Sequence, residues 1–147
     1  ARVGVETIGY DTINQLRHVR YFRDKATVTA HMRKLGARIR EKFEITYSVL
    51  SALDECGIAT YTRPRGGYFI SLDVLPGTAK RVYELSRAAG VTLTPAGATY
   101  PHGIDPEDKN LRLAPTYPKN EDLRAAMEIL VLTVKIAAIE KLLNDHR

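Results

Sequence analysis

The chain has 147 residues, a formal net charge of +5 and 44% hydrophobic residues, an ordinary globular composition with enough length for one domain with a core. Its single cysteine, Cys56, excludes an intramolecular disulfide and a multi-cysteine metal site, and it fits a reducing compartment such as the cytoplasm. The longest apolar run, at 125–139, carries Glu128 and Lys135 and is too short and too charged to span a membrane, and we expect no secretory signal.

Two helices are predicted in the first part of the chain. Asp11 and Asp24 each precede a helical pattern as typical N-cap residues, which predicts one helix over 12–22 and a second, longer one over 24–57. Gly57 lies where a left-handed C-cap is expected. Apolar residues recur along the longer helix in steps of three, four and seven, and they predict one buried stripe made of Val28, Met32, Leu35, Ile39, Phe43, Leu50 and Leu53.

A hairpin is predicted after the long helix. Strand-forming residues at 58–63 and 67–73 flank Pro64, Arg65 and Gly66, and such a turn between two strands is typical of an antiparallel pair. We therefore expect this region to begin a small sheet.

A shorter helix is predicted over 77–90, ending at Gly90. Its buried face is predicted to consist of Val82, Leu85 and Ala89. The run at 91–101 then predicts a short strand that breaks into a loop at its Pro/Gly residues.

The last elements are a short strand and a helix. The strand at 111–115 is stopped by Pro115. Asn120 is predicted to cap the helix, with Glu121 and Asp122 in its first turn, where the helix dipole favours acids. The buried face of that helix is predicted to hold Leu123, Met127, Leu130, Val134 and Leu142. The elements together predict an α+β fold, with a small mixed or antiparallel sheet covered by helices.

The sequence contains few residues that match common catalytic or metal-binding motifs. No pair of the four histidines has metal-binding helical spacing, so no metal site is expected. Phosphate-binding glycine loops and nucleophile motifs are absent from the sequence. The basic and aromatic run at 17–25 could contact phosphates, which leaves a stand-alone nucleic-acid-binding module open, although the positive charges are spread along the chain.

Arg112 is unusual because it lies between two leucines in the short strand. Successive strand residues point to opposite faces, so if Leu111 and Leu113 face the core, Arg112 faces away from it. This position suits ordinary solvent exposure, and it also suits a guanidinium held rigidly to bind a carboxylate through two hydrogen bonds. The pattern leaves both interpretations open.

Three motifs, read together, resemble a known family. The runs RPRGGYFISLDV at 63–74, TPAGATYP at 94–101 and NLRLAPTYP at 110–118 resemble, in order and spacing, the C-terminal part of fold-type I pyridoxal-phosphate aminotransferases. The run IGYDTINQLRHVRYFRDK at 8–25 is similar to the bacterial subgroup Ic aspartate aminotransferases. The resemblance covers nearly the whole chain.

The resemblance implies roles for individual residues. Arg112 matches the arginine that binds the substrate α-carboxylate in that family, and Arg17 is a candidate for the distal carboxylate. The opening run ARVG resembles the context of a phosphate-binding arginine, but the short distance from Arg2 to Arg17 argues against that role in subgroup Ic. None of the eight lysines has the sequence context of the lysine that binds the cofactor; Lys80 is nearest in appearance, yet it opens a helix.

The resemblance also implies that the chain is a piece of a longer enzyme and that its fold is of the aminotransferase small-domain type. Residues 1–23 correspond to the tail of the large cofactor domain, 24–57 to a long interdomain helix and 58–147 to the small domain. The whole enzyme is expected to be a cytoplasmic homodimer that uses pyridoxal phosphate to move amino groups between aspartate or glutamate and 2-oxoglutarate. We expect no catalytic residue, no cofactor binding, and no nucleic-acid or membrane partner in this segment. The alternative is the ligand-sensing domain of a transcription regulator.

Overall fold

The structure, a computed structural model, describes residues 10–146 as four α-helices, three strands and two short 3-10 turns. The helices are α1 (Thr12–Phe22), α2 (Lys25–Leu50), α3 (Ala79–Ala88) and α4 (Asn120–Asp145), and the strands are β1 (Ala59–Tyr61), β2 (Ile70–Val74) and β3 (Asn110–Leu113). The chain divides into two compact units between Arg38 and Ile39, within α2.

Both predicted N-caps of the first two helices are present. The Asp11 Oδ1 atom accepts a hydrogen bond from the backbone N–H of Asn14 at 2.9 Å. Asp24 Oδ1 accepts from the backbone N–H of Thr27 at 2.7 Å and from its hydroxyl at 2.9 Å. The Thr27 hydrogen bonds hold the pKa of the Asp24 carboxyl below its usual value, because they stabilise the carboxylate. The caps fix where α1 and α2 begin.

The second helix changes its geometry before Gly57. The α-helix ends at Leu50 and continues as a 3-10 turn over Ser51–Cys56, after which Gly57 adopts the expected left-handed conformation, with φ of 64°. The Ser48 and Ser51 hydroxyls donate to carbonyl groups three residues earlier, at 2.7 and 2.9 Å. Such serine bonds compete with the α-helical ladder, and tighter turns are common at helix ends.

The apolar stripe of α2 is buried only toward its C-terminal end. Phe43, Leu50 and Leu53 are buried, whereas Val28 is 39% and Met32 is 55% exposed. An apolar stripe is buried only where another element packs against it. The prediction of one continuous buried stripe is therefore wrong at the start of the helix within the described residues.

The sheet is antiparallel, in the order β1-β2-β3, as the fold-class prediction allowed. Its pairing places Ile70 opposite Leu113 and Ser71 opposite Arg112. Alternate residues of β2 and β3 join the apolar core with α2, α3 and α4, while Ser71, Arg112 and their alternates lie on the other face. The α+β prediction is confirmed, and the hairpin loop between β1 and β2 is longer than the predicted turn.

Residues 91–101 do not form the predicted strand. Pro95 has no N–H group to donate to a ladder. Gly97 adopts a φ of 85°, and the carbonyl group of Gly103 occupies the space that a side chain at Gly97 would need. The segment therefore folds as a tight loop that only glycine permits at this position.

Helix α4 buries most of its predicted face. Leu123, Met127, Leu130 and Val134 are buried, which confirms them, but Leu142 is 46% exposed because it lies in the last turns, away from the core cluster. Lys119, rather than Asn120, occupies the N-cap position. The Asn120 side chain is the first of the helix and donates instead to Glu41 Oε1 at 2.7 Å.

Helix α3 packs against α4 through a buried polar pair. Ser86 is fully buried and its hydroxyl lies 3.0 Å from that of Thr133 on α4. At the exposed end of the contact, Arg81 forms two hydrogen bonds with Glu140, at 2.7 and 2.8 Å. Ala89, predicted on the buried face, is exposed, because the helix presents Ser86 to α4 instead.

Candidate functional site

Arg112 lies on the polar face of β3, in the second unit. Leu111 and Leu113 are each 1% exposed, while Arg112 is partly exposed, which confirms that its side chain points away from the core. Its Nε atom is buried and has no hydrogen-bond partner within residues 10–146. A buried donor without a partner costs about 1–3 kcal/mol, so Nε is a donor that the described residues leave unsatisfied.

A cavity of about 360 Å³ opens beside Arg112. Its walls come from the loop at 91–95, the end of β3 and the residues after it, and the first turns of α4. Arg112 is the one charged residue among the described residues of these walls, and the rest are mainly apolar. A mainly apolar cleft with one fixed cation suits a small anionic ligand.

Asn110 fixes the strand that presents Arg112. Its buried amide Nδ2 donates to Ser71 Oγ at 2.7 Å and to Asp73 Oδ1 at 2.6 Å, and its Oδ1 accepts from Thr99 Oγ1 at 2.7 Å. These bonds join β3 to β2 and to the loop before it. Asn110 was predicted from the sequence only as part of a motif. Strand residues two apart point to the same face, so its position two residues before Arg112 was the signal that the two share a face.

Asp105 organises the loop that leads into β3. Its Oδ2 atom accepts from the backbone N–H groups of Lys109 and Asn110, both at 2.8 Å, and its Oδ1 accepts from that of Glu107 at 3.1 Å. Burial raises the pKa of Asp105, but these hydrogen bonds and the Lys109 charge lower it by more, so the pKa lies below its usual value. Asp105 was not among the residues predicted from the sequence to have a role.

We expect Asp105→Asn to lower the free energy of unfolding at pH 7 by about 1 kcal/mol, because the carboxylate accepts hydrogen bonds through both oxygens, whereas the neutral amide of asparagine has one acceptor oxygen and an NH2 group that cannot accept. The folded carboxyl has a depressed pKa, so its stabilisation is complete above the usual value of 3.8 and is lost as the pH falls through the folded pKa. Urea unfolding of both proteins between pH 7 and pH 3 should show the difference shrinking with acid. A difference that stays constant over this range would contradict the assignment.

Arg17 lies on α1, in the first unit, and its side chain is exposed. It lines a shallow, open groove together with aromatic and basic neighbours, among which Phe22 and His31 make an edge-to-face contact with ring centroids 5.2 Å apart. The distal-carboxylate role of Arg17 stays a prediction. Arg2 lies outside the described residues.

Two classes of site receive no support from the described residues. Within 10–146, no three or more His, Cys, Asp and Glu side chains gather closely enough to hold a metal ion. Across the same range, every helix is too short or too polar to traverse a lipid bilayer.

Comparison with known proteins gives one consistent result. A family model described as aspartate amino-transferase matches residues 1–146. The chain is 51% identical over 142 residues to an aspartate aminotransferase of Corynebacterium glutamicum, covering 96% of this chain and 33% of that protein. It therefore spans about a third of the length of the relative that it matches.

Solved structures agree with the sequence comparison. The crystal structure of an aspartate transaminase from Corynebacterium glutamicum superposes with a TM-score of 0.88 at 50% identity, over 95% of this chain and 33% of that one. A kynurenine aminotransferase from Pyrococcus horikoshii, solved in complex with PMP, gives a TM-score of 0.52 at 27% identity, over 65% of this chain and 24% of that one.

Proposed function

Because the chain belongs to the aspartate amino-transferase family, we propose that it is the C-terminal part of an enzyme that moves amino groups between aspartate or glutamate and 2-oxoglutarate. In this proposal residues 1–23 belong to the large cofactor domain, 24–57 connect the two domains, and 58–147 form the small domain. The whole enzyme is proposed to be a cytoplasmic homodimer, as the family resemblance implies.

One observation carries the role of this segment: Arg112 is presented by a paired strand, beside a cavity, with a buried Nε that has no partner within residues 10–146. A planar guanidinium binds a carboxylate through two parallel hydrogen bonds, which fixes the orientation of the ligand as well as its position. Holding the amino acid in one orientation reduces the entropy lost on reaching the transition state. We therefore propose that Arg112 binds the α-carboxylate of the substrate.

In this proposal the segment supplies a substrate-binding arginine, and the residues that hold pyridoxal phosphate lie in the rest of the longer polypeptide. When bound, the cofactor supplies the electron sink for carbanion chemistry. The described walls of the Arg112 cavity contain no lysine, and the Lys109 and Lys141 ammonium groups pair with Glu107 and Asp145 at 2.8 and 3.2 Å. We therefore assign to this segment the binding and orientation of substrate, and to the rest of the longer polypeptide the lysine that holds the cofactor.

The full-length polypeptide is expected to transaminate aspartate with 2-oxoglutarate in the presence of pyridoxal phosphate, whereas the 147-residue chain is not. Borohydride reduction with the cofactor, followed by peptide mapping, should label one lysine stoichiometrically in the full-length protein, at a position outside this segment. A stoichiometrically labelled lysine within residues 1–147 would contradict the proposal that the cofactor-binding lysine lies outside this segment. Absence of transamination with every dicarboxylic donor would contradict the proposed activity.

A further inference from the structure

We propose that Phe69 is a positioning residue that holds the Arg112 guanidinium in its carboxylate-binding orientation. The Cζ atom of Arg112 lies 4.6 Å from the centroid of the Phe69 ring. This inference rests on the proposed function, because it concerns how the same arginine is oriented.

The sheet register explains why these two side chains meet. Ser71 lies directly opposite Arg112, and Phe69 precedes Ser71 by two residues in the chain. On one face of an antiparallel pair such diagonal neighbours are roughly 7–8 Å apart at the backbone, within reach of an aromatic ring and a long side chain. Phe69 lies immediately before β2, and its contact with Arg112 is not part of the core, since Phe69 is 48% exposed.

The described residues give Arg112 no other evident anchor at its charged end. The Nε atom has no hydrogen-bond partner within residues 10–146, and none of the ion pairs found there includes Arg112. A cation over an aromatic face is attracted by the ring quadrupole, but the ring accepts no conventional hydrogen bond. The ring can thus fix the guanidinium while leaving its N–H groups free for a carboxylate.

The energetic consequence is preorganisation. A flexible arginine loses rotational freedom when it binds a ligand, and a contact that restricts it beforehand reduces that loss. Phe69→Leu keeps an apolar side chain but removes the ring, so the carboxylate of every substrate should bind more weakly. Phe69→Tyr keeps the ring face and should behave like the original protein.

The test uses the full-length enzyme and steady-state kinetics with aspartate, alanine and 2-oxoglutarate. Phe69→Leu is expected to raise the KM of all three by the same factor, roughly 3- to 30-fold, with little change in kcat. If Phe69 contacted the substrate side chain instead, Phe69→Leu would change the KM of aspartate and the KM of alanine by different factors. Tyr68→Leu is the matched control, since Tyr68 is a neighbouring aromatic residue with 47% exposure, and its effect should be small.

A double-mutant cycle with Arg112→Gln separates the positioning role of Phe69 from the proposed carboxylate binding by Arg112. If Phe69 acts through Arg112, then Phe69→Leu should have no further effect on kcat/KM once the guanidinium is absent. Two outcomes would contradict the positioning role and leave the carboxylate role of Arg112 standing. In the first, Arg112→Gln lowers kcat/KM but Phe69→Leu does not change it. In the second, Phe69→Leu lowers kcat/KM by the same factor with and without Arg112→Gln. Wild-type kcat/KM in Arg112→Gln would overturn both.

Discussion

Replacing Arg112 by lysine in the full-length enzyme is expected to lower kcat/KM for the amino-acid substrate by roughly 10²- to 10³-fold. Lysine keeps the positive charge but loses the planar pair of N–H groups that the proposed contact requires. The KM of the amino acid should rise, and cofactor affinity should change little, because Arg112 is proposed to contact substrate and not the cofactor phosphate. Steady-state kinetics and a cofactor titration measure the two effects separately.

Two exposed arginines provide matched controls for that substitution. Arg87 lies on α3 and Arg124 on α4, and both are exposed. Arg87→Lys and Arg124→Lys should leave kcat/KM unchanged. If Arg112→Lys also kept wild-type kcat/KM with every amino donor, Arg112 would be an ordinary solvent-facing strand residue, which is the alternative that the sequence pattern left open.

Leu130→Ala is expected to lower the free energy of unfolding of the 147-residue chain by about 2–5 kcal/mol. Leu130 is fully buried and belongs to the apolar core cluster, and truncation there removes apolar contacts and leaves a cavity. Urea unfolding followed by circular dichroism measures the change.

Leu132 is the matched control, on the same helix and 59% exposed. Leu132→Ala should change the free energy of unfolding by no more than about 0.5 kcal/mol, the usual range for a surface substitution. Equal losses at both positions would mean that the inward face of α4 has been assigned wrongly.

The predictions that the structure confirms depend on local chemistry. Asp11 and Asp24 cap their helices because a carboxylate satisfies the free N–H groups of the first turn wherever the rest of the chain lies. Leu111 and Leu113 face the core and Arg112 faces away because strand residues alternate.

The predictions that were wrong depend on contacts that a local pattern does not contain. Val28 and Met32 fit the apolar stripe of α2 as well as Phe43 does, yet only Phe43 is buried. Leu142 continues the spacing of α4 but lies where the core cluster has ended. Residues 91–101 were expected to begin as a strand, but Pro95 has no backbone N–H to donate to a neighbouring strand, and the segment folds as a loop around Gly97.

The sequence by itself determined the order of most helices and strands, the α+β class, the family and the face on which Arg112 lies, because caps, periodicity and motifs are properties of neighbouring residues. Only the tertiary structure decided what surrounds Arg112. The register of β2 and β3 places Ser71 opposite Arg112, and the ring centroid of Phe69, just before β2, lies 4.6 Å from Arg112 Cζ. Asn110 holds the strand and Asp105 holds the loop before it. The contacts of Arg112 with Phe69 and of Asn110 with Ser71 join residues far apart in the chain, so their geometry depends on how β2 and β3 pair.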